Sequence, residues 1–301
     1  MEFGTSVLAV QGGGARAAYS FGAAAALWNS RNRPRYDSVV ASSAGAIAMA
    51  YVLAGQADQV PSLFLSAFGS SDLISYKRPN RIADVDALIH RQVRQQFPLD
   101  LGAVRSADER FLIQLTDATT ARPAHLDLAD LSDSEAWDAL VASAAIPGLY
   151  ETPAYVAGKR YVDGGVTDPI PLRTMFEAGT QHVTAIWTRP IRSDMPPQSL
   201  PIRLFSRLIF RSQSSAVRSV LSNGDSSYDD AISICRDGDE RVRFIAPAAA
   251  SEIAARLTKD PKVFWDSVRL GVSDLYGLYP ETQGTLEIGG RKIEPQPRAI
   301  A

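Results

Sequence analysis

The chain has 301 residues, 46% hydrophobic and 21% charged, and 31 Lys and Arg against 33 Asp and Glu leave a formal net charge of −2. This is ordinary globular composition, long enough for a substantial core and without the global basicity of a nucleic-acid binder. The lone cysteine, Cys235, excludes an internal disulfide framework and suits a reducing compartment.

The opening "MEFGTS" has no basic n-region and fits a cloning scar, and "VLAV" after it is too short for an h-region. The longest apolar runs, "AAYSFGAAAALW" and "AGAIAMAYVLAG", fall short of the ~20 residues of a membrane span. A soluble cytoplasmic protein is expected. "SVLAVQ" predicts a buried strand, broken by "GGGAR". "RAAYSFGAAAALWNSR" predicts a helix that ends near Asn32 and Pro34. "YDSVVAS" and "AGAIAMAYVLAGQ" repeat the strand–helix pair. Such alternation argues for a parallel sheet with helices on both faces, with ligands at the strands' carboxyl edge. Downstream come an amphipathic helix in "DVDALIHRQVRQQF", a strand in "RFLIQLTDA", and a helix in "SEAWDALVASAAIP" stopped by Pro147. "KRYVDGGVTDPIPL" is a short strand into a glycine turn, and "HVTAIWTRP" another strand. After the proline-rich connector "SDMPPQSLP" follow a basic helix, a strand "VRFIAP", a helix from about Ala254 to Leu278, and a polar tail expected as a hairpin or arm.

Two glycine-rich turns carry candidate chemistry. In "QGGGARAA", glycines before a helix N-terminus make an anion site. Gly12, Gly14 and Ala17 fit the dinucleotide fingerprint, but Asp37 begins its strand rather than ending it, where the ribose would need an acid. The same amides also suit an oxyanion hole, and a plain packing turn is the third reading. The second turn is "ASSAG". A nucleophile elbow needs small residues two before and two after the serine. Ser43 has Ala41 and Gly45 there; Ser42 has Val40, whose branched side chain would crowd the turn. A helix N-cap serine is the competing reading. Adjacent parallel strands would place both turns side by side, as a serine nucleophile and its oxyanion hole require.

A serine also needs a base. The three histidines, His90, His125 and His182, sit in a helix, in a turn or edge, and at the amino edge. A carboxylate is therefore the better candidate, and Asp163 ends a strand before Gly164 and Gly165. An Asp-Gly hairpin turn remains the alternative for it.

These blocks resemble the patatin-like phospholipases. "GGGAR" is similar to that family's oxyanion loop, "ASSAG" to its serine motif, and "ASAAIPGLYETPAYVAGKRYVDGGVTDPIPL" to its second long block. The resemblance covers roughly residues 6 to 190, with residues 191–301 an extension of one domain over 5–301. It implies a three-layer α/β/α fold with a mostly parallel central sheet. It also implies a lipid acyl hydrolase with a Ser43–Asp163 dyad and an oxyanion hole at Gly12, Gly13 and Gly14. Arg16 would support the loop or meet a substrate phosphate, and Ala41 and Gly45 would flank the elbow; no metal or other cofactor is implied. Three positions depart from the motif: Ala41 and Ala17 stand for glycines and Asp168 for a frequent asparagine.

The expected substrate is an acyl lipid such as a (lyso)phospholipid. An acyltransferase with the same dyad, a weakened lipid- or partner-binding relative, and a dinucleotide-dependent oxidoreductase are the competing readings. In "RLFSRLIFR", Arg203, Arg207 and Arg211 recur at helical spacing beside an apolar face. That stripe suits peripheral contact with an anionic membrane, or simply a solvated helix.

Overall fold

The computed structural model describes residues 2–69, 73–75, 77–78, 81–191, 210, 212–223, 226–249 and 252–295. The stripe Arg203, Arg207 and Arg211 lies outside the described residues. A central sheet is built from β1 (Ser6–Val10), β2 (Ser38–Ser42), β3 (Arg110–Asp117), β4 (Pro123–Asp127), β5 (Ala154–Val156), β6 (Lys159–Asp163), β7 (His182–Ile186) and β8 (Val242–Ile245). The strands run β5-β6-β3-β2-β1-β7-β8, with β4 also on β3. From β3 to β8 all pairings are parallel; those of β4, β5 and β6 are antiparallel. Residues beyond 190 thus supply a strand of the sheet.

The nine described α-helices are α1 (Ala17–Asn29), α2 (Ser43–Leu53), α3 (Val60–Gly69), α4 (Leu101–Arg105), α5 (Asp133–Ser143), α6 (Leu172–Glu177), α7 (Ser215–Asn223), α8 (Ser226–Arg236) and α9 (Pro261–Leu278). The period-two alternation of the strands sorts them into layers. Leu8, Val10, Val39, Ala41, Phe111 and Ile113 join a core with α1, α2, α5 and α9. Val7, Ala9, Val40, Leu112, Val183 and Ala185 face a second core with α6 and α8. Both faces are covered, so the strands read as continuous apolar runs rather than alternating ones. Among the described residues no helix is long and apolar enough to cross a membrane.

Several elements differ from the sequence expectation. The amphipathic helix is a π-type helix over Ala87–Gln96. The helix expected from Ala254 starts at Pro261, because Pro suits the first turn and the Asp260 carboxylate caps it, accepting from Lys262 N at 2.8 Å. The edge strands β4 and β5 are too short and irregular to announce themselves. The polar tail does form a hairpin, Leu286–Ile288 with Arg291–Ile293.

α1 is buried from Ala17 to Leu27, without a polar face. Its small residues let α9 approach backbone to backbone. A Cβ on Gly271 would stand 2.1 Å from the Tyr19 carbonyl oxygen, and one on Gly22 would stand 2.2 Å from that of Val268. The Tyr19 hydroxyl also donates to Asp274 at 2.6 Å. Gly271→Ala should lower the unfolding free energy by roughly 3 kcal/mol, because neither backbone can give way. Gly277→Ala, on an exposed turn of the same helix with open space, should raise it by about 1 kcal/mol. Denaturant titration of both variants checks the contrast.

Candidate active site

The register of β3 brings the serine and the aspartate together. Gln114 pairs with Ser42 and with His125, and Leu115 pairs with Asp163 and with Ala124. A strand residue has one neighbour on each side, so β4 takes one edge of β3. On the other edge β2 and β6 meet end to end. β2 arrives parallel and stops at Ser42; β6 arrives antiparallel and stops at Asp163. Each chain then turns away, β2 into α2 and β6 into a 3-10 turn over Gly164–Val166.

Ser43 is the first residue of α2 and has φ 56, the left-handed region that non-glycine residues avoid. Ser42 before it is extended and its side chain makes no cap bond. The N-cap reading of the serine pair is thereby replaced by a strained turn that points Ser43 toward β6. Ala41 lies inside β2, fully buried and without a positive φ, so the backbone there does not demand glycine. Gly45 is favoured for a different reason: a Cβ there would lie a tight 3.0 Å from Gln11 and Gly12 backbone atoms.

The Asp163 carboxylate accepts a hydrogen bond from Gly165 N at 2.8 Å, and the Ser43 side chain lies near enough to favour its ionised form. Burial raises its pKa from an ordinary 3.8 to about 6, against the lowering effect of the Ser43 side chain, of the Gly165 bond and of nearby Arg256. Its backbone is fixed as well. Asp163 N donates to Ala145 O at 3.1 Å, and Thr116 Oγ1 donates to Asp163 O at 2.9 Å. Gly164 crosses Gln114 so closely that a Cβ would lie 2.4 Å from its carbonyl oxygen.

The glycine loop follows β1. Gly13 and Gly14 have φ 138 and 61. A Cβ on Gly12 would meet Ser42 O at 2.5 Å and Ser43 Cβ at 2.6 Å. The flanking amides are engaged: Gln11 N donates to Ile186 O at 3.0 Å, and Ala15 N to Arg256 O at 2.9 Å. Among the described residues no acceptor meets the amides of Gly12, Gly13 and Gly14. Arg16 folds back over the loop; a Cβ on Gly13 would lie 3.0 Å from its Nε.

A cavity of about 300 Å³ unites these groups, lined by Gly12, Gly13, Arg16, Ser42, Ser43 and Asp163 together with Arg189 and Arg256. Ile146, Pro147, Val166, Val220 and Leu221 supply an apolar wall. No histidine is among the described residues that line it. His90 is in the π-type helix and His182 is exposed at the start of β7. His125 is buried on β4, edge-on to Phe3 at 4.9 Å, where burial lowers its pKa to about 4. Asp37 is excluded as a ribose acid: its carboxylate accepts from Thr5 N and Ser6 N at the amino edge, opposite the loop. Asp168 is buried and does not line the cavity; its carbonyl accepts from the Gln114 side chain. Among the described residues no group of three or more His, Cys, Asp or Glu is arranged to hold a metal ion.

Several residues of the site carry no signal in the local sequence. Ser143 Oγ accepts from Ser43 N at 2.8 Å and donates to Gln114 O at 2.9 Å, tying the elbow to β3. Thr188 donates from N and Oγ1 to the Gln11 side chain at 2.8 and 2.9 Å. Arg189 and Arg256 come from segments that no motif marks.

A family model described as patatin-like phospholipase matches residues 8–176, more than half of the chain. The uncharacterized protein YjjU of Escherichia coli (strain K12) is 26% identical over 202 residues, which cover 65% of this chain and 55% of YjjU. The crystal structure of VipD from Legionella pneumophila superposes with a TM-score of 0.47 at 11% identity, over 92% of this chain and 66% of VipD. The chain thus spans about half the length of YjjU and about two thirds of VipD.

Two stability measurements test the site's geometry. Ser43→Gly and Ser43→Ala both lose the hydroxyl, but only glycine relieves the positive φ. Ser43→Gly should therefore be about 1 kcal/mol more stable than Ser43→Ala in denaturant unfolding. The raised Asp163 pKa means that the folded state holds a proton the unfolded chain releases. Stability is lost as pH rises from about 4 to about 6 and stays lost above. Asp163→Asn should match the parent below pH 4 and exceed it by on the order of 3 kcal/mol above pH 7.

Proposed function

Because the chain belongs to the patatin-like phospholipase family, we propose that it hydrolyses the carboxylic ester of an acyl lipid with Ser43 as nucleophile and Asp163 as base. The observation that carries this reading is Ser43 in a left-handed turn beside the buried Asp163 carboxylate, the two lining one cavity. Ser43 Oγ attacks the ester carbonyl carbon as its proton passes to Asp163. The carbonyl oxygen becomes an oxyanion, to which the amides of the Gly12–Gly14 loop would donate. Collapse of that intermediate releases the alcohol, which takes the proton from Asp163, and leaves an acyl-Ser43 ester. Water, deprotonated by Asp163, then attacks the acyl carbon; the Ser43 Oγ–acyl bond breaks, the acid is freed, and Asp163 returns the proton to Ser43 Oγ.

A carboxylate is a weak base for serine in water. Burial strengthens it here: a pKa of about 6 leaves Asp163 ionised at neutral pH yet more basic than an exposed aspartate. The apolar wall of Ile146, Pro147, Val166, Val220 and Leu221 suits the first methylenes of an acyl chain.

Ser43→Ala and Asp163→Asn should each lower kcat on a soluble butanoyl ester by about a thousandfold or more. A fluorophosphonate probe should label Ser43 in the parent protein. The kcat/KM profile should fall on the acid side with an apparent pKa near 6, as Asp163 takes up its proton. Unchanged turnover in either variant would remove the dyad.

A further inference from the structure

Gln11 directly follows β1 and is only 5% exposed. Its Oε1 accepts from Thr188 N at 2.8 Å and from Thr188 Oγ1 at 2.9 Å. A backbone N–H can only donate, so the acceptor end of the amide faces Thr188 and the Nε2 end faces away. Nε2 makes no hydrogen bond among the described residues, yet it is not sealed in the interior. The open space beside Gln11 is the cavity that holds Ser43 and Asp163. A nearly buried NH2 with both protons idle gives up bonds that water would supply, and such groups are the exception in folded proteins.

Sheet order fixes which part of a substrate reaches it. The strands run β6, then β3 and β2, then β1 and β7. The apolar wall stands on the β6 side of the cavity. Val166 follows β6, and α7, which supplies Val220 and Leu221, packs Val217 against Val162 and Val166. Gln11 and Thr188 stand on the opposite side, after β1 and β7. Ser43 lies between, after β2, one strand spacing of about 4.8 Å from β1. Thr188 Oγ1 also donates to Gly12 O at 2.7 Å, and Gly12 abuts the nucleophile, since a Cβ there would lie 2.6 Å from Ser43 Cβ. The Gln11 amide is thus held beside the glycine loop, away from the apolar wall. An ester with its acyl chain on that wall and its carbonyl at Ser43 sends its alcohol part toward Gln11.

We propose that Gln11 is a specificity-determining residue whose Nε2 donates to an acceptor oxygen on the alcohol part of the substrate, close to the scissile ester. The inference deepens the acyl hydrolase reading and rests on it. With Oε1 occupied twice, the side chain offers a ligand donors alone. An ether, carbonyl or hydroxyl oxygen satisfies it, whereas a plain alkyl group leaves it unpaired. The competing role is structural, with Gln11 serving only to tie Thr188 to the glycine loop.

Two isosteric soluble esters separate these roles. Methoxyethyl butanoate carries an ether oxygen where butyl butanoate carries a methylene. Both are assayed above the acid limb of the pH profile. The parent should favour the methoxyethyl ester about fivefold in kcat/KM, the scale of one hydrogen bond. Gln11→Glu keeps an acceptor for both Thr188 bonds and removes the donor, so it should abolish the preference. The ratio compares two neutral esters, so any effect of the new charge on Asp163 cancels. Gln11→Met, with no amide and no charge, should abolish the preference too. In both variants the loss should fall on KM for the methoxyethyl ester. Thr188→Val removes one bracing donor and leaves Nε2 in place; it should slow both esters alike and keep the preference. Equal kcat/KM for the two esters in the parent, or a preference that either Gln11 variant retains, overturns the assignment. So does a Thr188→Val variant that loses the preference as fully as Gln11→Glu, because bracing alone would then set it. Each of these results leaves the hydrolase reading standing, since the parent still turns both esters over. A labelled Ser43 with neither ester cleaved overturns the Gln11 assignment alone. If neither ester is cleaved and the fluorophosphonate probe leaves Ser43 unlabelled, the hydrolase reading fails and the Gln11 assignment falls with it.

Discussion

The site depends on two strand ends that share one edge of β3. Ser42 opposite Gln114 and Asp163 opposite Leu115 are successive rungs of that edge, reached from opposite directions. Hydrogen-bond register fixes strand ends to a fraction of an ångström, which flexible side chains on separate loops would not achieve. Each end must then leave the sheet abruptly, because the other occupies the path ahead. Ser43 leaves through a positive φ and Asp163 through two glycines, the first pressed onto Gln114. The strain at Ser43 is thus a consequence of the topology, held in place by Ser143 and Gln114 beneath it.

Electrostatics in the cavity follow from the same crowding. Asp163 is buried because β6 ends inside the fold, and burial raises its pKa to about 6. Arg256 belongs to a segment tied to the glycine loop, and it offsets part of that rise.

Around the site, close backbone contact replaces large side chains. Gly22 and Gly271 let α1 and α9 touch, and Gly12 and Gly45 let the loop meet α2. α9 lies well beyond the motif-bearing region, yet it packs on α1, whose first turn begins at the glycine loop. The C-terminal third also completes the sheet through β8. The loop is braced from a distance, with Thr188 reaching Gln11 across 177 positions of sequence.

What the sequence determined by itself was local. Strand–glycine–helix punctuation at "GGGAR", "ASSAG" and "RYVDGG" marked where backbones bend, because steric limits on a bend act within a few residues. The doubly covered parallel sheet was legible for the same reason, since apolar periodicity is a property of single elements. Only the tertiary structure decided which distant elements share an edge or a cavity. The end-to-end meeting of β2 and β6 is set by β3 register, the bracing by Ser143 and Thr188 spans long stretches of chain, and Arg189 and Arg256 join the cavity from segments with no motif. Residues far apart in sequence carry no local trace of such contacts, because packing and hydrogen bonding act through space rather than along the chain.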